Sequence, residues 1–225
     1  MKRALAIVVF IAGLAAPALS AAEGTGMYLA PKFLVSIQDS GRIHRSAALA
    51  GSGVSDYSQF TLGGALAAGY DFWPQHMLPI RAEIELALRG DSEKKWNDDG
   101  RNLNKVNAIW NNSTLFANLF WDFRNDTLFT PYVGAGLGVA FKYAGFDYTT
   151  AGGDKFTVDD RFNSFAWNVG AGVAYSFAEQ LTVDVGYRFV SLGNDSLTTH
   201  YGGQKYEVSS SPYNNEFTLG LRFSF

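Results

Sequence analysis

Cysteine is absent from all 225 residues, which excludes disulfide bridging, thiolate catalysis and cysteine-ligated metals. Proline is scarce at six residues, and histidine scarcer at three. Charge is sparse: 17% of the residues carry it, and the formal net charge is only -3. A mildly acidic balance argues against nucleic acid as a partner. Two further absences concern pattern. No long stretch beyond the N-terminus repeats its apolar residues every 3.6 positions, and no apolar run reaches the roughly 20 residues of a membrane-spanning helix.

What is present begins with "MKRALAIVVFIAGLAAPALSAAEG". Lys2 and Arg3 precede an apolar or small run over residues 4–16, and Pro17 with Ala18, Ser20 and Ala22 supplies cleavage sites after Ser20 or Ala22. This order is that of a secretory signal peptide, cleaved from the mature chain, and the run is too short for an anchor helix. Residues 1–22 are therefore set apart, leaving 23–225 as a single domain. Without Lys2 and Arg3, the 18 basic side chains become 16, against 21 acidic ones.

Aromatics make up 15% of the chain, and glycine contributes 24 residues. Period-two alternation marks eight strands: 27–37, 59–72, 78–90, 108–123, 130–143, 163–177, 181–192 and 212–225. The connections alternate in length. Polar segments at 38–58, 91–107, 144–162 and 193–211 are long, whereas 73–77, 124–129 and 178–180 are short. An even number of antiparallel strands with alternating short turns and long loops predicts an all-β, eight-stranded transmembrane β-barrel, an up-and-down meander with periplasmic turns and four extracellular loops.

Each strand has one clean apolar face. In 163–177 it is Phe165, Trp167, Val169, Ala171, Val173, Tyr175 and Phe177; in 181–192 it is Leu181, Val183, Val185, Tyr187 and Phe189. Every charge falls on the opposite face: Lys32, Asp71, Arg81, Glu83, Glu85, Arg89, Asp122, Lys142, Asp184, Arg188, Glu216 and Arg222, six basic and six acidic. A soluble lipocalin-like barrel would turn the apolar face inward. Three features oppose that arrangement. The charged face carries Gly134, Gly136, Gly138, Gly170, Gly172, Gly186 and Gly220, small enough to let long Arg and Glu side chains share a narrow interior. Aromatics gather at the strand ends, as at two membrane interfaces. The chain also ends on an apolar-face aromatic, Phe225.

"LTVDVGYRF" (181–189), "TPYVGAGLGVAF" (130–141), "LFANLFWDF" (115–123) and "NEFTLGLRFSF" (215–225) resemble the opacity-type surface-antigen barrels of Gram-negative outer membranes, relatives in shape of the OmpA transmembrane domain. The resemblance implies residence in the outer membrane among phospholipid and lipopolysaccharide. It implies roles in envelope integrity, adhesion or contact with a host or cell-surface ligand through the long loops. It also implies that Phe217, Phe223 and Phe225 signal to the barrel-assembly machinery, and it implies no cofactor.

An eight-stranded interior is just wide enough to be filled by side chains, so the inward charges are expected to pair. Counting from the start of strand 181–192 and from the end of strand 212–225 predicts Asp184–Arg222, with Arg188–Glu216 one step above it, and Asp71 and Arg81 flank the first short turn in the same way. Two alternatives stay open. The same charges would line a small ion-conducting, porin-like channel, or the barrel would carry a lipid A-modifying enzyme. For the latter, His44, His76 and His200 all fall in connections, where no rigid partner orients a base. "GAGLG" (134–138) continues as strand and lacks the helix of a dinucleotide site, and the acidic loop residues lack a calcium-loop spacing.

Overall fold

The computed structural model describes residues 24–39, 41, 44–45, 58–97, 103–150, 155–201 and 204–225. The expected signal peptide and most of the first long connection lie outside the described residues. In chain order the elements are β1 (Met27–Asp39), β2 (His44–Arg45), β3 (Ser58–Asp71), α1 (Trp73–His76), β4 (Ile80–Arg89), β5 (Ser92–Asn97) and β6 (Leu103–Asp122). There follow β7 (Phe129–Thr150), β8 (Lys155–Ala178), β9 (Leu181–Ser191), β10 (Asp195–Tyr201), β11 (Gln204–Ser210) and β12 (Tyr213–Ser224).

Eight of these strands close into a barrel. Hydrogen bonding runs antiparallel from β1 through β3, β4, β6, β7, β8, β9 and β12, and returns to β1. The closing seam pairs Tyr28 with Ser224 and Asp39 with Tyr213, so the two ends of the barrel sequence meet. Closure leaves the ring without an edge. An unpaired backbone group costs several kcal/mol in hydrocarbon, which is why only closed sheets and helices cross it.

The alternation read from the sequence is realised as inside and outside. On β4, Arg81, Glu83, Glu85, Ala87 and Arg89 are buried while Ile84, Leu86 and Leu88 are exposed. The same inversion holds around the ring, where Leu119, Leu137, Phe165, Val185 and Phe217 all stand on the outer wall. Polar inside and apolar outside is the reverse of a water-soluble fold.

The strands extend further than expected. Segments 91–107, 144–162 and 193–211, expected as polar loops, are largely strand. β5 pairs with the outer end of β6, β7 and β8 run on as one ribbon as far as Thr149↔Lys155, and β10, β11 and β2 form a separate three-stranded sheet. Polar composition does not stop an antiparallel ladder once its register is set, and Trp96, Val106, Tyr148 and Phe156 keep strand propensity high in these segments. The first short connection also gains structure: Trp73–His76 forms one helical turn, with Pro74 in its first turn.

Candidate functional site

The barrel interior gathers the charged residues. Arg81, Glu83, Glu85, Arg89, Asp122, Lys142, Asp184, Arg188, Glu216 and Arg222 are buried, and Lys32 and Asp71 are nearly so. Most of them join in a lower and an upper cluster of ion pairs.

The lower cluster sits at the short-turn end. Arg81 Nε donates to both Asp122 carboxylate oxygens, at 3.0 and 2.9 Å, and its guanidinium lies 4.9 Å from the Phe120 ring centre and 5.0 Å from that of Tyr132. Arg124 Nη2 joins Asp71 at 2.6 Å and Asp122 at 3.2 Å. This corrects the expected Asp71–Arg81 pair. The two are direct neighbours in register, yet their ion pairs go elsewhere. Asp71 Oδ1 accepts from the backbone N–H of Trp73 at 2.9 Å, which turns the carboxylate towards the turns, where Arg124 meets it.

The upper cluster crosses the lumen. Lys32 Nζ sits between Glu83 at 2.6 Å and Glu85 at 2.7 Å. Glu85 continues to Arg188 Nη1, Arg188 Nε donates to Glu216 Oε2 at 2.7 Å, and Arg89 Nε takes the other oxygen of Glu216. Arg222 and Asp184 approach to 3.4 Å between the clusters. The structure thus brings together the two pairs expected from counting along the last two barrel strands, Asp184–Arg222 and Arg188–Glu216. It adds links between strands that are not neighbours. Breaking one partner of a buried pair costs about 3–5 kcal/mol, because the other charge is stranded.

Phe116 pairs with Glu85 in register and packs with Ala140, Ala166, Val190 and Leu192. Leu34 is buried between Lys32 and Ser36 on β1, and Asn214, Asn112 and Gln38 form a hydrogen-bonded chain from Glu216. Lys142, which the sequence places among the interior charges, reaches the Leu192 carbonyl at 2.7 Å, and Ser164 Oγ donates to the same oxygen at 2.6 Å. Leu34, Phe116, Glu85 and Glu216 are each 0% exposed. Below them remains a cavity of about 50 Å³ lined by Lys32, Arg81, Asp184, Arg188 and Arg222 among others. That is room for about one or two water molecules.

Several interior residues escaped the sequence reading. Tyr28 donates to Glu83 at 3.2 Å; Phe116, Phe120 and Tyr132 stack against the cations; Arg124 comes from a turn. The four rings share the inward parity of their charged neighbours, a signal masked by their own apolar character. Close packing explains the inward glycines. A Cβ on Gly172 would stand 2.4 Å from the Tyr132 hydroxyl, and one on Gly134 only 2.3 Å from the Phe120 ring.

Of the expected loop histidines, His44 and His200 fall on β2 and β10, while His76 is on α1 at the opposite end with its ring 6.1 Å from that of Phe72. Among the described residues no group of three His, Asp or Glu side chains gathers to hold a metal. Phe217 is exposed on the outer wall and Phe223 half-buried; Phe225 is half-buried, its carbonyl accepting from the Thr25 N–H at 2.8 Å.

A closed ring with a greasy outside and an ion-paired inside matches a known family. Residues 6–225 match the family model described as "Outer membrane protein beta-barrel domain". The chain belongs to this outer-membrane β-barrel family. It is an integral outer-membrane barrel of a Gram-negative envelope, with its short turns periplasmic and its ribbons extracellular. Outer membrane protein PagN of Salmonella typhimurium is 30% identical over 181 residues, covering 76% of this chain and 75% of PagN. Two solved barrels share the fold. Neisserial surface protein A superposes with a TM-score of 0.50 at 19% identity, covering 89% of this chain and 97% of its own. The outer membrane protease OmpT of Escherichia coli gives 0.52 at 11%, covering 90% and 98%.

Proposed function

We propose that this outer-membrane barrel works as a closed, non-catalytic platform that presents its extracellular segments to other surfaces. One observation carries the reading: Lys32, Glu85, Arg188, Glu216 and Arg89 form a continuous relay of ion pairs across the lumen, with Glu85 and Glu216 fully buried. A barrel occupied in this way does not offer its interior to a solute, so specific contact falls to segments 38–58, 91–107, 144–162 and 193–211. Their partner is a ligand on a host or neighbouring cell, and the outer wall meets phospholipid and lipopolysaccharide. Export uses residues 1–22 as a cleaved signal peptide, and Phe217, Phe223 and Phe225 present the terminal strand to the barrel-assembly machinery.

The reading is tested by two measurements, one on refolded protein and one on cells. Refolded protein in planar bilayers gives no unitary conductance steps, and cells lose attachment to host surfaces when 144–162 and 193–211 are replaced by short turns while the barrel remains folded. Steady steps from the unmodified protein would establish the channel alternative and remove this one. Undiminished attachment by the shortened barrel would remove the contact role.

A further inference from the structure

The first periplasmic turn is built more heavily than a simple connection requires. Asp71 Oδ1 caps the Trp73 N–H, the Met77 N–H donates to the Trp73 carbonyl at 3.0 Å, and the Ile80 N–H donates to the Leu78 carbonyl at 2.8 Å. Tyr70 Oη donates to Gln75 at 2.7 Å, and Arg124 from the next turn stacks over Trp73 at 5.3 Å. Pro74 and Pro79, two of the chain's six prolines, stiffen the same seven residues. At its tip this rigid frame holds two apolar side chains in the open, Met77 at 65% and Leu78 at 48% exposure.

Met77 is also the one non-glycine residue with positive φ among the described residues, at 53°. Glycine or asparagine adopts that left-handed conformation at lower cost, so the backbone alone gives no reason for methionine there. The side chains continue the outer wall downward. Leu78 has the outward parity of Ile80, Ile80 pairs with Trp121, and Trp121, Phe123, Leu128 and Phe129 are exposed on the adjoining strands and turn. The third short turn, on the other flank of the barrel, carries Glu179 and Gln180 instead.

We infer that the turn Trp73–Pro79 is a preformed anchor that seats Met77 and Leu78 in the inner-leaflet phospholipid, at the boundary between headgroups and acyl chains. The occupant follows from continuity: the patch is an uninterrupted extension of the wall already in lipid. An apolar tip on one flank only pins that flank at a fixed depth, while the opposite flank stays at the level of the headgroups.

The absence of native cysteine makes the test direct. Met77→Cys and Leu78→Cys, with Asn125→Cys and Glu179→Cys as references in the other turns, are each labelled with an environment-sensitive dye. Each is refolded into phosphatidylcholine–phosphatidylglycerol vesicles, folding being checked by gel mobility before and after heating. Spin-labelled lipid is expected to quench the dyes at 77 and 78 several-fold more than those at 125 and 179, and aqueous iodide to do the reverse. Equal iodide quenching at all four sites overturns the anchor. Dyes at 77 and 78 shielded from both quenchers also overturn it, because protein and not lipid would then cover the tip.

Discussion

Arg188 on β9 and Glu85 on β4 stand on opposite walls of the barrel, four strands apart in either direction around the ring, and join in a direct salt bridge across the lumen. The pair works as a strut. It holds the two walls at a fixed separation and occupies the space between them.

Removing one end of the strut is therefore costly. Glu85→Gln keeps the volume but leaves both Arg188 and Lys32 short of an anion, and destabilises the barrel by about 3 kcal/mol. Arg188→Met combined with Glu85→Gln recovers part of that loss. Urea unfolding in vesicles, followed by tryptophan emission and arranged as a double-mutant cycle, measures both; additive effects would refute the direct coupling.

Burial grades the ion pairs. The Arg124 and Asp71 side chains are 28% and 17% exposed, whereas those of Arg89 and Glu216 are 1% and 0%. Asp71→Asn is expected to cost no more than about 1 kcal/mol, and that cost shrinks in 1 M salt. Glu216→Gln costs several times as much, and its cost is unchanged by salt. Paired unfolding curves at low and high ionic strength decide between these expectations.

The outer wall tolerates no charge near its middle. Leu137→Arg, at a site 62% exposed on the lipid face, is expected to cost about 2–4 kcal/mol. In detergent-free vesicles its folded fraction falls, whereas a similar change beyond the apolar band leaves it intact.

Glycine at position 134 makes room for the Phe120 ring, which packs edge-on to Tyr132 at 5.6 Å. Gly134→Ala is expected to destabilise by about 1–3 kcal/mol through overpacking. Adding Phe120→Leu recovers a large share, because the methyl group and the ring compete for one space. Melting the single and double variants in micelles shows whether the rescue occurs.

Much of this architecture was legible in the sequence. Strict alternation separated the two faces, and the two pairs Asp184–Arg222 and Arg188–Glu216 followed from counting in from the start of one strand and the end of its antiparallel neighbour. The cross-lumen links Glu85–Arg188, Arg89–Glu216 and Lys32–Glu83 did not follow. They depend on strand tilt and shear, which belong to the whole ring and to no single hairpin. Asp71 misled for a local reason, since capping the Trp73 N–H redirected its carboxylate to Arg124. The interior rings Phe116 and Tyr132 were hidden by apolar character, and the outer ribbons by polar composition.

The β7–β8 ribbon has a mechanical consequence. Its strands are 22 and 24 residues long, about 75 Å along the chain at roughly 3.3 Å per residue. An apolar band about 25 Å tall, crossed at a tilt near 40°, uses only about half of that length. The ladder from Phe129↔Tyr175 to Thr149↔Lys155 runs without a register shift. A pull on the ribbon's tip is therefore transmitted straight into the barrel wall, where β6 and β9 grip its two edges. Those edge bonds are loaded in shear, many at once, so the ribbon is a tether without a hinge.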